Sequence, residues 1–173
     1  ARVYSYNGSA WVQLGADIDG EGVNDRFGRT ISLNSAGDRV AIGTGENDGT
    51  ANNAGHVRVF SYNGSAWTQL GADIDGEAAG DYFGHYGLQM NAAGDRLVVG
   101  AHQNDGTGSN AGHARVYSYN GSAWVQLGAD IDGEAASDNF GYAVSINDAG
   151  SRIAIGALYN LSLIHISEPT RPL

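Results

Sequence analysis

The sequence predicts an all-β chain: a fragment of a β-propeller made of four-stranded antiparallel blades with a repeat of 56–57 residues, forming an open arc and not a closed ring. Three observations carry this. Landmark residues recur at fixed spacing: Trp11, Trp67 and Trp124 lie 56 and 57 residues apart, as do Phe27, Phe83 and Phe140, while Gly37, Gly94 and Gly150 lie 57 and 56 apart. Within a period, short alternating or β-branched runs are divided by turns rich in Gly, Asn and Asp. The chain has 27 glycines and only two prolines, Pro169 and Pro172, both beyond the repeats.

A period of this length marks a repeat architecture. Followed from Phe27, one unit contains four strand segments. "FGRTISLN" alternates Thr30 and Ser32 with Ile31 and Leu33, and "SAGD" turns the chain. "RVAIG" is short, apolar and β-branched, and "TGENDGTANNAG" is a loop. "HVRVFSY" sets Val57 and Val59 on one face and Arg58, Phe60 and Tyr62 on the other. Asn63-Gly64 predicts a two-residue type I′ hairpin with positive φ at both positions, which would set Phe60 opposite Trp67. "SAWTQLGADI" returns as the fourth strand. The repeated heptapeptide SYNGSAW (residues 5–11, 61–67 and 118–124) is therefore the tip of each outer hairpin, with its Trp facing a neighbouring unit.

Sheets apolar on both faces cannot bury themselves alone, which suits blades sandwiched between blades. The units divide as a half blade at 1–26, blades at 27–82 and 83–139, and a second half blade at 140–160. Residues 161–173, "LSLIHISEPTRPL", leave the pattern and resemble a translated sequencing-library adapter, so they are expected to be non-native.

"FGRTISLNSAGDRVAIGT", "FGHYGLQMNAAGDRLVVGA" and "FGYAVSINDAGSRIAIGA" resemble FG-GAP repeats, the blades of integrin α-chain-type propellers. The resemblance spans residues 1–160 and implies a propeller at a cell surface or outside the cell, acting in adhesion or ligand binding. Calcium-binding members carry a DxDxDG loop between the first two strands. Here that place holds Asn34–Asp38, Asn91–Asp95 and Asn147–Ser151, too short and too poor in acids, so the resemblance is to a metal-poor branch. The Pro of the "GAP" element is also missing after Gly43, Gly100 and Gly156.

The charge narrows the function classes. Acids outnumber bases 19 to 9 for a net charge of −10, and every base is Arg. Such a chain repels phosphate backbones and anionic membrane surfaces, so nucleic acid is not an expected partner, and with no run of about 18 apolar residues no membrane insertion is expected. The chain has no Cys, which excludes disulfides and thiolate metal sites.

Two sets of residues are candidate sites. The first is the acidic loop "DIDGE" with a following acid: Asp17, Asp19, Glu21 and Asp25; Asp73, Asp75, Glu77 and Asp81; Asp130, Asp132, Glu134 and Asp138. Alternate acids on an extended segment share a face, and Ca²⁺ takes six to eight oxygens, so each loop could begin a calcium shell. The competing reading is a solvated Asx-type turn between blades, with the recurrent Arg39, Arg96 and Arg152 and Arg2, Arg58 and Arg115 forming blade-to-blade ion pairs. His56 and His113 recur without a second nearby His or Cys, which favours a turn over a metal ligand.

The second set is where the repeat symmetry breaks. Arg26, Tyr82 and Asn139 share one variable position; Arg29, His85 and Tyr142 share the next; then come Thr30, Tyr86 and Ala143; and Gly45, His102 and Leu158 form another. Arg29, His85, Tyr86, His102 and Tyr142 are the candidate ligand contacts. The middle unit carries one extra residue near His85-Tyr86-Gly87, which predicts a β-bulge. The sequons at Asn7, Asn63 and Asn120 are already explained by their turns.

No G-x-S-x-G, HExxH or P-loop occurs, and three near-identical acidic loops do not make one tuned acid–base pair. The expectation is a non-enzymatic extracellular scaffold that binds a protein or glycan ligand, alongside further blades. The alternatives are a fragment of a polysaccharide-active propeller enzyme and a structural spacer in a large surface protein. An enzyme would show two carboxylates or a hydrogen-bonded His in a central pocket.

Overall fold

A computed structural model describes residues 1–160, so the expectation about residues 161–173 lies outside the described residues. The described chain is all-β, and every strand pairing is antiparallel. No helix among the described residues is long and apolar enough to cross a membrane.

A hairpin, β1 (Tyr4–Tyr6) and β2 (Trp11–Gln13), opens the chain. The first complete sheet runs β3 (Thr30–Leu33), β4 (Arg39–Thr44), β5 (His56–Tyr62) and β6 (Trp67–Gln69), with β7 (Ile74–Asp75) also on β5. The second repeats it with β8 (Leu88–Met90), β9 (Arg96–Ala101), β10 (His113–Tyr119), β11 (Trp124–Gln126) and β12 (Ile131–Asp132). A final hairpin pairs β13 (Phe140–Ile146) with β14 (Ile153–Ala157). The architecture is that of a propeller-blade fragment with no closed ring.

The alternation read in "HVRVFSY" decides how the sheets stack. Val57 and Val59, with Ala41, pack against Phe83, which precedes the second sheet, and against Leu97, Val99 and Tyr117 of that sheet. Val40, Ile42 and Phe60 use the opposite face and pack against Val3 and Ile18 of the first hairpin. A sheet buried on both faces stabilises through its neighbours, so each unit depends on the next. The sheets approach one another along their first strands, with β8 lying against both β3 and β13. Ser32 Oγ accepts from Met90 N at 2.9 Å, and Gln89 Oε1 accepts from Ile146 N at 2.6 Å, linking successive inner strands.

The repeated Phe-Gly pair locks one unit to the previous one. Phe83 N donates to Ala54 O and Phe140 N to Ala111 O, each at 2.9 Å, so the Phe sits under the preceding unit's long loop. Gly84 takes φ +74°, and a Cβ there would meet Val57 Cγ2 at 2.7 Å, so only Gly fits.

The outer hairpin differs from expectation. Its loop has four residues, Asn63–Ala66, rather than two, and Trp67 faces Tyr62 instead of Phe60. The cause is the Asn63 carboxamide, whose Oδ1 accepts from Ser65 N at 3.0 Å and Ala66 N at 2.9 Å, building an Asx turn. Of the Asn-Gly pair, only Gly64 takes positive φ. The Trp does face the neighbouring unit: Trp67 Nε1 donates to Leu14 O at 2.7 Å and Trp124 Nε1 to Leu70 O at 2.8 Å. The fourth strand is also interrupted, since Gly71 at φ +84° separates β6 from β7.

Candidate functional site

The acidic loops lie along the outer strands, and the structure pairs them with arginine. Arg2 meets Asp17 at 3.0 Å within the first hairpin. Arg58 lies 3.4 Å from Asp73 of its own sheet and 3.3 Å from Glu21 of the preceding loop. Arg115 repeats this arrangement, donating to Asp130 through Nε at 2.8 Å and Nη2 at 2.7 Å while also pairing with Glu77. The first Asp of each loop also accepts from a Gln four residues earlier, Gln13, Gln69 or Gln126, at 2.6–2.8 Å. Ile18 and Ile74 turn into the core between their acids, whereas Ile131 stays exposed.

The last acid of each set has a different task. Asp25, Asp81 and Asp138 accept from Asn47, Asn104 and Asn160 at 3.2, 2.9 and 3.2 Å, tying each linker to the loop that follows. Asp19, Asp75, Asp132 and Glu134 are exposed. Among the described residues, the ligating side chains that cluster are Glu21 with His56 and Asp73, and Glu77 with His113 and Asp130, their ligand atoms all within 4.8 Å of one another. The four acids of a single loop form no such group. Each observed cluster draws its acids from two successive loops and adds the His that opens the third strand, a combination hidden in sequence because its members come from different units.

Electrostatics matches this geometry. Hydrogen bonds from Arg115 hold the Asp130 carboxyl down at about 2. Burial pushes Glu77 up, but the Arg115 bond and charge outweigh it, and the net displacement is downward. His56 and His113 are pushed down by burial, so both stay neutral at pH 7. A guanidinium already stands against the carboxylates of both clusters.

The second candidate set converges at the start of the inner strands. Arg29 Nη2 donates to the Tyr86 hydroxyl at 3.0 Å, and its Cζ lies 5.1 Å from the centre of the Tyr86 ring. Tyr142 stacks on Tyr86 with centroids 4.4 Å apart and planes 28° apart. His85 meets Tyr86 edge-on at 4.3 Å, and His102 meets Tyr142 edge-on at 5.5 Å. Three successive units thus contribute to one cluster. Arg26, Glu46, Tyr82 and Gln103 complete the walls of a cleft of about 280 Å³ beside Arg29, His85, Tyr86 and His102.

Local structure explains the convergence. Arg26, Tyr82 and Asn139 all take left-handed backbone, at φ 54°, 54° and 52°, so one turn shape presents three different side chains. In each turn the residue three positions on donates back: Arg29 N to Arg26 O, His85 N to Tyr82 O and Tyr142 N to Asn139 O. Arg29, His85 and Tyr142 are therefore equivalent, as the sequence indicated. The following position is corrected. Gly84 N donates to Gly100 O and Gly100 N to Gly87 O, each at 2.9 Å, so Gly87 takes the place of Thr30 and Ala143. Tyr86 is the extra residue, and the bulge pushes it out between two glycines.

The cleft carries two guanidiniums and one carboxylate, since Arg26 binds Glu46 at 2.8 Å. Burial, and then the neighbouring His85, pushes His102 down to about 4; burial also lowers His85. Both imidazoles are neutral at pH 7, leaving a locally cationic, aromatic recess on an acidic chain. His85 Nδ1 is buried without a hydrogen-bond partner. Arg26, Glu46 and Tyr82 were not among the candidate contacts. The symmetry break that revealed the others also marks Glu46, whose equivalents are Gln103 and Tyr159.

Comparison with models of known protein families finds no match, and comparison with curated proteins likewise finds none.

Proposed function

We propose that the chain is a non-enzymatic ligand-binding scaffold of the FG-GAP type, working at a cell surface or outside the cell. The observation that carries this reading is the Arg29–Tyr86–Tyr142 stack, assembled from three units at a turn where their side chains differ. A guanidinium over stacked aromatic rings suits a ligand with an anionic group on a flat or ring-shaped body. An acidic glycan has that chemistry: its sugar face lies on Tyr, and its carboxylate meets Arg. The extracellular setting rests on the FG-GAP resemblance, which is an argument by analogy.

A glycosidase is less well supported, because such enzymes use a pair of carboxylates and Glu46, the carboxylate in the cleft walls, is held by Arg26. Calcium in the acidic loops is less well supported for a similar reason: Arg58 and Arg115 already compensate the carboxylates.

Calorimetric titration with oligogalacturonate, against a neutral oligogalactan of equal length, tests the reading. Binding of the acidic oligomer alone, weakened about tenfold in Tyr86→Ala, is the expected result. Equal heat from both oligomers, or hydrolysis of either, contradicts it. Titration with CaCl₂ alone should release no binding heat.

A further inference from the structure

A buried imidazole at the outer edge stands without a partner. His113 is 1% exposed, and among the described residues neither of its ring nitrogens makes a hydrogen bond. Nε2 is buried, and Nδ1 faces two carboxylates, 3.8 Å from Glu77 Oε1 and 3.8 Å from Asp130 Oδ2. Those distances are too long for hydrogen bonds, and a buried polar group left unbonded costs free energy. We propose that Glu77, His113 and Asp130 bind a zinc ion, which fastens the linker after β7 to the second sheet.

The charges around His113 call for a cation. Asn104 Nδ2 donates to Glu77 Oε1 and to Asp81 Oδ2, at 2.9 Å each, which sets a third carboxylate beside the first. Asp81 is 3% exposed, and its other donor is Ala78 N at 3.3 Å, so both of its partners are neutral. Three carboxylates therefore gather around one guanidinium, that of Arg115, on a chain of net charge −10. Burial keeps the imidazole neutral, as a zinc ligand must be.

Arg115 does not fill the site. It holds Glu77 by Oε2 and reaches Asp130 Oδ1 through Nε at 2.8 Å, the oxygens other than those nearest His113. It also donates to Asp130 Oδ2 at 2.7 Å, but a carboxylate oxygen carries two lone pairs, so one remains. Zinc about 2.0–2.2 Å from each ligand would set the three atoms roughly 3.3 Å apart, a closure of about half an ångström from 3.8 Å. Glu77 and Asp130 are partly exposed, which leaves them that freedom. A recess of about 450 Å³, with Glu77, Asp81, Asn104 and Asp105 in its walls, gives the ion a path in and room for a water as fourth ligand.

The donor set selects the metal. One imidazole with two carboxylates suits zinc, whereas calcium takes six to eight oxygens. The equivalent group one unit earlier, Glu21 with His56 and Asp73, is less complete. There Asn47 donates to Asp25 at 3.2 Å without bridging to Glu21, and Asp25 is only half-buried. His56 Nδ1 approaches Asp73 at 3.8 Å, with no matching approach to Glu21 among the described residues. One tight site per chain is therefore expected, at His113.

Calorimetric titration of the 173-residue chain with ZnCl₂ tests this. The expected result is one tightly bound zinc per chain. His113→Gln should abolish that binding, Glu77→Gln should weaken it at least about tenfold, and His56→Gln should leave it intact. Zinc should also raise the melting temperature of wild type and of His56→Gln, but not that of His113→Gln. Circular dichroism of each variant confirms folding, and Glu77→Gln decides the matter if His113→Gln does not fold. A wild-type chain without a tight zinc overturns the proposal. So does zinc affinity that is unchanged in folded His113→Gln or Glu77→Gln, or lost in folded His56→Gln.

Discussion

The outer acidic loops and the inner aromatic cleft are built from the same repeat and use it in opposite ways. At the outer edge, one arrangement recurs: Arg58 with Asp73 and Glu21, then Arg115 with Asp130 and Glu77. Sameness there suits a joint, because every unit must meet the next with equal geometry. At the inner edge, Arg29, His85 with the extra Tyr86, and Tyr142 stand on one turn shape and are chemically unrelated. Difference there suits recognition, because a ligand needs a particular set of groups at a particular place. A symmetric scaffold therefore separates cohesion from specificity, and substitutions should separate them too.

The largest effect should come from the joint. Phe83 is fully buried under the preceding unit, so Phe83→Ala should cost about 3–5 kcal/mol in denaturant unfolding. Phe27, only half-buried in the first joint, should cost less. Equal losses would show that the joints do not depend on a preceding sheet. Next is Arg115→Leu, which strips two carboxylates of their partner and should cost about 1–3 kcal/mol. Arg2→Leu removes one exposed pair and should cost about 1 kcal/mol or less.

Acid should act on the two regions in different windows. Asp130 is held at about 2 by Arg115, below an unfolded value of about 3.9, so its stabilisation is present above the unfolded value and is lost as pH falls toward 2. His102 is held at about 4, below its unfolded value near 6.5. Between those values the unfolded chain binds the proton and the folded chain does not, so stability falls as pH drops from 6.5 to 4. Thermal melts of wild type and His102→Gln across that window should differ in slope, with the variant flatter. Parallel slopes would mean that the His102 environment is as open to protons as the unfolded chain.

Much of the fold was legible because it follows from local rules repeated three times. The alternation of Val57, Arg58, Val59 and Phe60 fixed which side chains face which neighbour, and the Trp and Phe spacing fixed the unit. The outer turn departs from the type I′ expectation because the Asn63 side chain, accepting from Ser65 N and Ala66 N, organises a longer loop that an Asn-Gly pair alone does not signal. At the inner edge, the loss of symmetry singles out Arg29, His85, Tyr86, His102 and Tyr142, which the structure gathers into one cluster. The identity of Tyr86 as the extra residue needed the hydrogen bonds of Gly100, which no spacing rule supplies. The grouping of His56 with acids from two loops was invisible for a similar reason: it depends on how units stack.

The separation of cohesion from recognition is tested most directly by one paired measurement: melting temperature and oligogalacturonate affinity, taken together on Arg115→Leu and Tyr86→Ala. Arg115→Leu should melt several degrees lower and bind as wild type does below its melting point. Tyr86→Ala should melt within a degree or two of wild type and bind about tenfold more weakly. Loss of binding in the first variant with binding intact in the second would contradict the account.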